Sequence, residues 1–426
     1  MTILCHEKRY SSKSVKIVSC SIISVENDKI VKRKKTDMPL RSTRPQSDVK
    51  IPRKKNFSHD LICSTEQLNN LKSEWQQLFE SGDKNLYFQS HEWVSSWWQF
   101  YGEAAGYKLS IITVRSAGGG ELLLIWPMVV KRYGVCQVGM WPCQDIGQYG
   151  DVLIADNSEI EDCLEAVWEK LSRSKIDLLK LSQVREDAKV YSFLSKKGQI
   201  NGESESTYWV DFQGLESWES YMLSRSKNFR KRQKRMLRQF SELGELSFDV
   251  VGDQSSIPEV LSDLLEIKRK WFADAGIYGR IIERPETRDW LIDIAQKAHA
   301  QGKLNLTMLR LDNKIVAGQV AFISDNELSA HIGAYDVQYR RFGVGRIQTE
   351  DAIRWASENG YQLFDFMPPY DEYKTSWINS EIKVDNFLCT LNFKGDLFKI
   401  FFSESLRTKI KKLYAKIPRK FKEKVN

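Results

Sequence analysis

The sequence predicts an α/β (α+β) chain built from two copies of one unit in tandem, each a mixed twisted sheet flanked by helices. Three observations carry that expectation. At 426 residues, 42% apolar and 12% aromatic, the chain is long enough for two or three domains with cores of their own. The order hairpin strands, helix, strand occurs twice. Charge sets the ends apart: residues 1–56 carry 15 Lys/Arg against 5 Asp/Glu and residues 394–426 carry 11 against 3, so the body within this +8 chain is net −10. Four segments follow from this: a basic flexible tail at 1–56, a first unit at 57–205, a second at 206–393, and a basic amphipathic helix at 394–426.

Lys, Arg and Ser dominate the tail, and Pro39, Pro45 and Pro52 interrupt any regular element; Met38 is an alternative start. Ordered structure begins near Asp60, where Ser64-Thr65-Glu66-Gln67 is a capping box ahead of Leu68, Leu71, Trp75, Leu78 and Phe79 at helical spacing. Trp93, Trp97, Trp98, Phe100 and Tyr101 then mark an aromatic helix, read as core packing rather than a sugar-stacking platform. Tyr107 to Val114 and Glu121 to Val130 form a hairpin around Ala117-Gly118-Gly119-Gly120. A short strand at Asp151 to Ile154, a helix from Ser158 to Arg173 and a strand at Leu178 to Leu181 complete the first copy.

Between the copies a long helix is expected over 215–243, with Phe229, Met236, Phe240 and Leu243 as its buried stripe. Eight of its fourteen residues from Arg225 to Arg238 are basic and none is acidic. Such a run is either a solvated face or a cationic wall for an anionic acceptor or for phosphates, with Arg230 and Arg235 as candidate binding residues. A further helix follows from Pro258 to Ala273. The second copy comprises strands at Leu304 to Leu311, Lys314 to Ile323 and Glu327 to Tyr335, a helix at 346–359 and a strand at 362–367.

Within the second copy, Arg340-Arg341-Phe342-Gly343-Val344-Gly345 joins a strand to a helix. Two glycines there let the backbone approach a ligand closely, and the unpaired N–H groups of a first helical turn attract anions. In the first copy the corresponding loop, Cys143 to Gln148, lacks the arginine and the second glycine. It is therefore expected to help build the acceptor cleft instead.

The spacing R-x-x-G-x-G at Arg340, Gly343 and Gly345 resembles the pyrophosphate loop of the GNAT acyltransferases. Phe364-Asp365-Phe366 with Tyr373-Lys374 and Trp377 resembles the ending of the BioF2-like (CelD-type) acetyltransferase family, which is related to the FemAB transferases. The resemblance reaches back through the basic helix to about Phe57. It implies tandem GNAT-like domains, with acetyl-CoA as acyl donor held by Arg340, Arg341, Gly343, Val344 and Gly345. It also implies an N- or O-acyltransferase acting on a cell-surface polysaccharide or its precursor, alongside polysaccharide-synthesis machinery, with an oxyanion donor from the backbone at about Ile332 to Tyr335.

Four side chains are candidates for the chemistry. Asp336 is a base or a turn residue. Asp365 is a base, an acceptor-orienting group or a strand-end hydrogen-bond acceptor. Tyr373 protonates the leaving thiolate or packs. Lys374 binds an acceptor phosphate or carboxylate at the open mouth of the cleft, or is a surface charge. His331 ranks below all of these. A FemAB-like aminoacyl transferase and a non-catalytic scaffold are the competing readings.

Seven scattered cysteines without C-x-x-C and five dispersed histidines argue against a disulfide framework and a metal site, and fit a reducing cytosol. No apolar run is long enough to span a membrane. A net-acidic body argues against specific nucleic-acid binding. The basic ends leave peripheral contact with the inner membrane face open, and docking on the protein is the preferred place for the C-terminal helix.

Overall fold

Strand pairing runs without a break from one copy into the other. The computed structural model describes residues 57–156, 160–276, 281–369, 371–403 and 406; the 1–56 tail and most of the expected 394–426 helix lie outside them. A twelve-stranded mixed sheet runs in the order 246–250, 304–311, 314–324, 327–335, 363–365, 205–211, 380–390, 178–185, 136–140, 129–133, 107–109, with 199–200 pairing beside 380–390. The last long strand, Ser380–Thr390, lies between Glu205–Asp211 and Leu178–Arg185. It therefore fastens the second copy to the first.

The repeat is plain in the topology. In each copy a strand, a helix and a second strand parallel to the first follow one another: Cys136–Met140, Ile160–Ser172 and Leu178–Arg185, then Glu327–Tyr335, Val344–Glu358 and Leu363–Asp365. The mixed α/β fold is that of tandem GNAT-like units.

Several elements differ from expectation, each for a local reason. The first hairpin is cut in two, because Pro127 cannot donate to a ladder and Ser110 N turns to donate to Met128 O at 3.0 Å. Ile111–Arg115 and Leu122–Trp126 thereby join Ser58–Ile62 and Leu153–Ile154 in a separate four-stranded sheet, while 107–109 and 129–133 stay in the large one. The expected 215–243 helix is two, Trp218–Ser224 and Lys227–Ser241. Ser226 starts the second by accepting from Phe229 N at 3.2 Å.

The Ser64 capping box forms, with Ser64 Oγ accepting from Gln67 N and Gln67 Oε1 accepting from Ser64 N at 3.2 and 3.3 Å. Trp93, Trp97, Trp98 and Tyr101 are buried in the core that joins this region to helix Pro285–Ala300. The aromatic helix is thus a packing element.

Candidate active site

The site lies where two parallel strands part. Strands 327–335 and 363–365 pair at Glu327/Leu363, Leu328/Phe364 and Ser329/Asp365 only. Beyond Asp365 the chain leaves, since Phe366 N donates to Tyr208 O at 3.0 Å. On the other side of 327–335, an extra residue at His331 shifts the register between Ala321/Ala330 and Val320/Ile332. Asp336 N donates to Val316 O. By alternation, Ala334 and Ile332 direct their main-chain groups to strand 314–324, and Gly333 and Tyr335 direct theirs to the parted side. Gly333 is exposed, and its carbonyl accepts from Lys268 Nζ at 2.6 Å.

Lys268 was not singled out by sequence reasoning. It comes from helix Ile257–Ala275 and lies over the rings of Trp271 and Phe272, 4.0 and 5.0 Å from their centroids. Burial, and then the charge of Lys374, hold its pKa down to about 7. Trp271 packs on Tyr335 at 5.1 Å, so one wall of the opening is aromatic.

The glycine loop stands beside that wall. Gly343 has φ +74 and ends a tight turn over Val337–Phe342; helix Val344–Glu358 begins after it, and no side chain caps its first turn. Its first N–H groups lack intrahelical acceptors, as at any helix start. Both glycines are also close to protein: a Cβ on Gly345 would come 2.9 Å from Tyr335 Cδ1, and one on Gly343 would strike Met236 Sδ. The small residues thus serve internal packing as well as an open approach to the loop.

The arginines divide their tasks. Arg340 is half-exposed, paired with Asp274 at 2.6 Å, and its pKa is raised first by a hydrogen bond with Tyr335. Arg341 is exposed and lies over Phe342. The guanidinium best placed for a phosphate is one the sequence reading missed, Arg346, on the first turn of the helix itself. It is half-buried and bonds Gln233 Oε1 at 3.3 Å and Ser376 Oγ at 2.7 Å. Burial and then neighbouring Arg232 lower its pKa. The sequence signal was its position three residues past Gly343. A diphosphate fits these residues by charge and by donor supply.

Helix Lys227–Ser241 packs against this loop through Gln233, Met236 and Phe240. Arg230 is half-buried and Arg235 exposed; neither pairs with a carboxylate among the described residues. Arg225, at the start of the basic run, instead donates to the carbonyls of Trp377 and Ile378.

Asp336 and Asp365 take the structural roles that were open to them, a turn residue and a hydrogen-bond acceptor at a strand end, and Lys374 turns inward. Asp336 caps the turn after the strand, accepting from Gln338 N at 3.1 Å and Gln338 Nε2 at 2.8 Å. Asp365 is 0% exposed. Its Oδ1 accepts from Thr207 Oγ1 and from Met367 N, both at 2.7 Å, and its Oδ2 accepts from the Tyr149 hydroxyl at 2.8 Å. Arg185 lies 3.8 Å away and also bonds Glu327 and Asp187 at 2.7 Å each. This cluster joins residues 149 and 185 of the first copy to 207, 327 and 365 of the second. Asp365 has the placement of an anchor, not of a base open to an acceptor.

Lys374 does not overlook an open mouth. It is 7% exposed, and its Nζ donates to the carbonyls of Phe366, Met367 and Pro369 at 3.1, 2.7 and 2.8 Å. All three of its donors are spent on holding the segment that diverges from 327–335. Burial lowers its pKa to about 8. Tyr373 packs on Phe366, their rings 6.3 Å apart, and burial and then the charge of Asp371 raise its pKa.

Residues 227–375 match the family model for the acetyltransferase (GNAT) domain. The fold is similar to the crystal structure of FemX, with a TM-score of 0.56 at 13% identity over 80% of this chain and 99% of that one. A protein of unknown function from Bacteroides thetaiotaomicron aligns at TM-score 0.49, 12% identity, over 78% of this chain and all of that one. A tandem GNAT protein from the clavulanic acid biosynthesis pathway aligns at 0.45, 9% identity, over 79% and 99%. No curated protein matches in sequence. Residues 227–375 thus form an acetyltransferase (GNAT) domain, and the chain carries an acyltransferase domain in its second copy.

Proposed function

We propose that the chain transfers an acyl group from coenzyme A, with acetyl-CoA as the donor, to an amine or hydroxyl of an anionic saccharide: a cell-surface polysaccharide or its precursor. The observation that carries this reading is the placement of the parted strands beside an uncapped helix start. One opening offers donors for a diphosphate and, further in, the exposed main chain of Gly333.

The N–H groups of Val344 and Gly345, with Arg346, would hold the diphosphate. The Gly333 N–H, on the parted side, would donate to the oxygen that becomes anionic when the acceptor attacks the acyl carbon. Lys268 meets that edge at the Gly333 carbonyl, and its pKa, held down to about 7, leaves a share of the amine neutral near pH 7 to take the acceptor's proton. The Tyr373 hydroxyl would protonate the departing sulfur. Exposed cations of helix 227–241, Arg235 among them and Arg230 beside it, would meet the acceptor's negative charge.

Aminoacyl transfer of the FemAB type is the second reading, and two observations favour it about equally with the first: the fold shared with FemX and the same row of cations, which would also suit a nucleic-acid backbone. Release of free thiol from acetyl-CoA in the presence of nucleotide sugars and acidic polysaccharides tests the choice. Acceptor-dependent release supports the acyl-CoA reading, and its absence across acceptors, with transfer from an aminoacyl-tRNA, would replace it.

A further inference from the structure

Helix Phe393–Phe402 is apolar on both faces. Its inner face is seated tightly: Asn392 caps it by accepting from Gly395 N at 3.0 Å. A Cβ at Gly395 would collide with the Asp177 carbonyl. Phe402 is buried against Tyr133, their rings 5.4 Å apart, and its carbonyl accepts from Asn201. The outer face should then be polar, yet it carries Phe393, Leu397, Ile400 and Phe401, at 76, 57, 57 and 62% exposure. Their spacing of i, i+4, i+7, i+8 is that of a single helical stripe.

The hairpin tip that packs on Phe402 is apolar as well, with Tyr133 and Val135 42 and 55% exposed around Gly134. Scattered surface apolar residues need no explanation, but a contiguous patch of this kind marks an interaction surface. Its rim is cationic. Arg132 flanks the hairpin tip, and Lys394 and Lys399 flank the helix, where they pair with Asp177 at 2.9 Å and Asp396 at 3.5 Å. The sequence from 403 to 426 then adds nine Lys/Arg against two Glu.

We propose that this face is a docking surface for an anionic lipid bilayer, with the 393–402 helix lying in the interfacial plane. Phenylalanine, leucine and isoleucine on one side, lysine and arginine around and after them, is the composition of an interfacial anchor. Charge selects the occupant. A second copy would bring the same cations against these, whereas anionic headgroups neutralise them. Among the described residues no helix is long and apolar enough to cross a membrane, so the contact is with the surface. An acyltransferase held there would meet membrane-attached acceptors in two dimensions.

The test uses the full chain and sedimentation with vesicles of phosphatidylcholine, alone or mixed with phosphatidylglycerol. Binding is expected only to the mixed vesicles and should weaken as salt rises. Leu397→Asp with Phe401→Asp should lower partitioning about tenfold or more, whereas Leu223→Asp, an equally exposed leucine on helix 218–224, should not change it. Both variants should keep the wild-type melting temperature. Absence of binding, or equal binding by the double variant, would overturn the proposal. So would a wild-type dimer that the double variant dissociates, since a second copy would then cover the face.

Discussion

Replacing Asp365 separates an anchor from a base. In Asp365→Ala, the Met367 N–H and the hydroxyls of Thr207 and Tyr149 lose their acceptor. The two hydroxyls already lie 2.8 Å apart, so one can bond the other, and two buried donors remain unsatisfied. At about 1–3 kcal/mol each, the loss of stability is about 4 kcal/mol. Asp365→Asn is far milder. Its oxygen still accepts from Met367 and Thr207, and its amide donates to Tyr149, whose proton turns to Thr207. Arg185 loses one carboxylate neighbour but keeps Glu327 and Asp187, so about 1 kcal/mol is expected. Urea denaturation gives both differences, and activity is then measured on folded protein. An anchor predicts that the Asn variant keeps activity within about tenfold. Loss of a general base costs about 100-fold or more, so such a loss in an Asn variant of wild-type stability would refute the anchor assignment.

Arg346→Ala should weaken coenzyme A binding in calorimetry by about tenfold, some 1.4 kcal/mol, as for one charge-assisted hydrogen bond; unchanged affinity would move the diphosphate elsewhere. Lys268→Met should remove the limb near pH 7 from the kcat/KM profile, the rate rising with pH as the amine deprotonates; a profile identical to wild type would exclude this lysine as the base. Gly343→Ala should destabilise the fold by about 1–2 kcal/mol, because φ is +74 and Met236 is in the way. Stability itself should fall in acid. Burial holds His331 down to about 4, against 6.5 in the unfolded chain, so its contribution is complete above about pH 6.5 and is lost as the pH falls from there to 4. That loss is about 3 kcal/mol. His331→Phe, among the rings of Phe88, Trp93 and Phe322, should abolish that part of the difference between melts at pH 7 and 4.5.

The loop at 340–345 and the strand–helix–strand around it could be read from the chain because their causes are local. Glycines mark the backbone needs, and a 3.6-residue period marks the helix. The tight hairpins were legible for the same reason, with Asp312, Asn313 and Asp325 all at positive φ. What sequence could not give is where a polar residue between apolar neighbours points. Asp365, flanked by two phenylalanines, could face either side of its strand, and its partners are 158 and 216 residues away. Lys374 likewise looks like a surface charge until the carbonyls of the preceding turn close on it. Lys268 sits on an amphipathic helix among other charges, and only its contact with Gly333, 65 residues on, sets it apart. Strand 380–390 was missed because its alternation is weak: it is pinned from both sides by strands of different copies.

Hydrogen exchange with and without acetyl-CoA tests the central claim most directly. On the proposed reading the donor lies along the open edge at Gly333 and Tyr335 and at the helix start at Val344 and Gly345. Amides in peptides covering 331–336 and 343–347 should gain protection at saturating acetyl-CoA, while those of 136–140 and 178–185, the parallel pair of the first copy, should not change. Protection confined to the first copy, or none anywhere at millimolar acetyl-CoA, would contradict it.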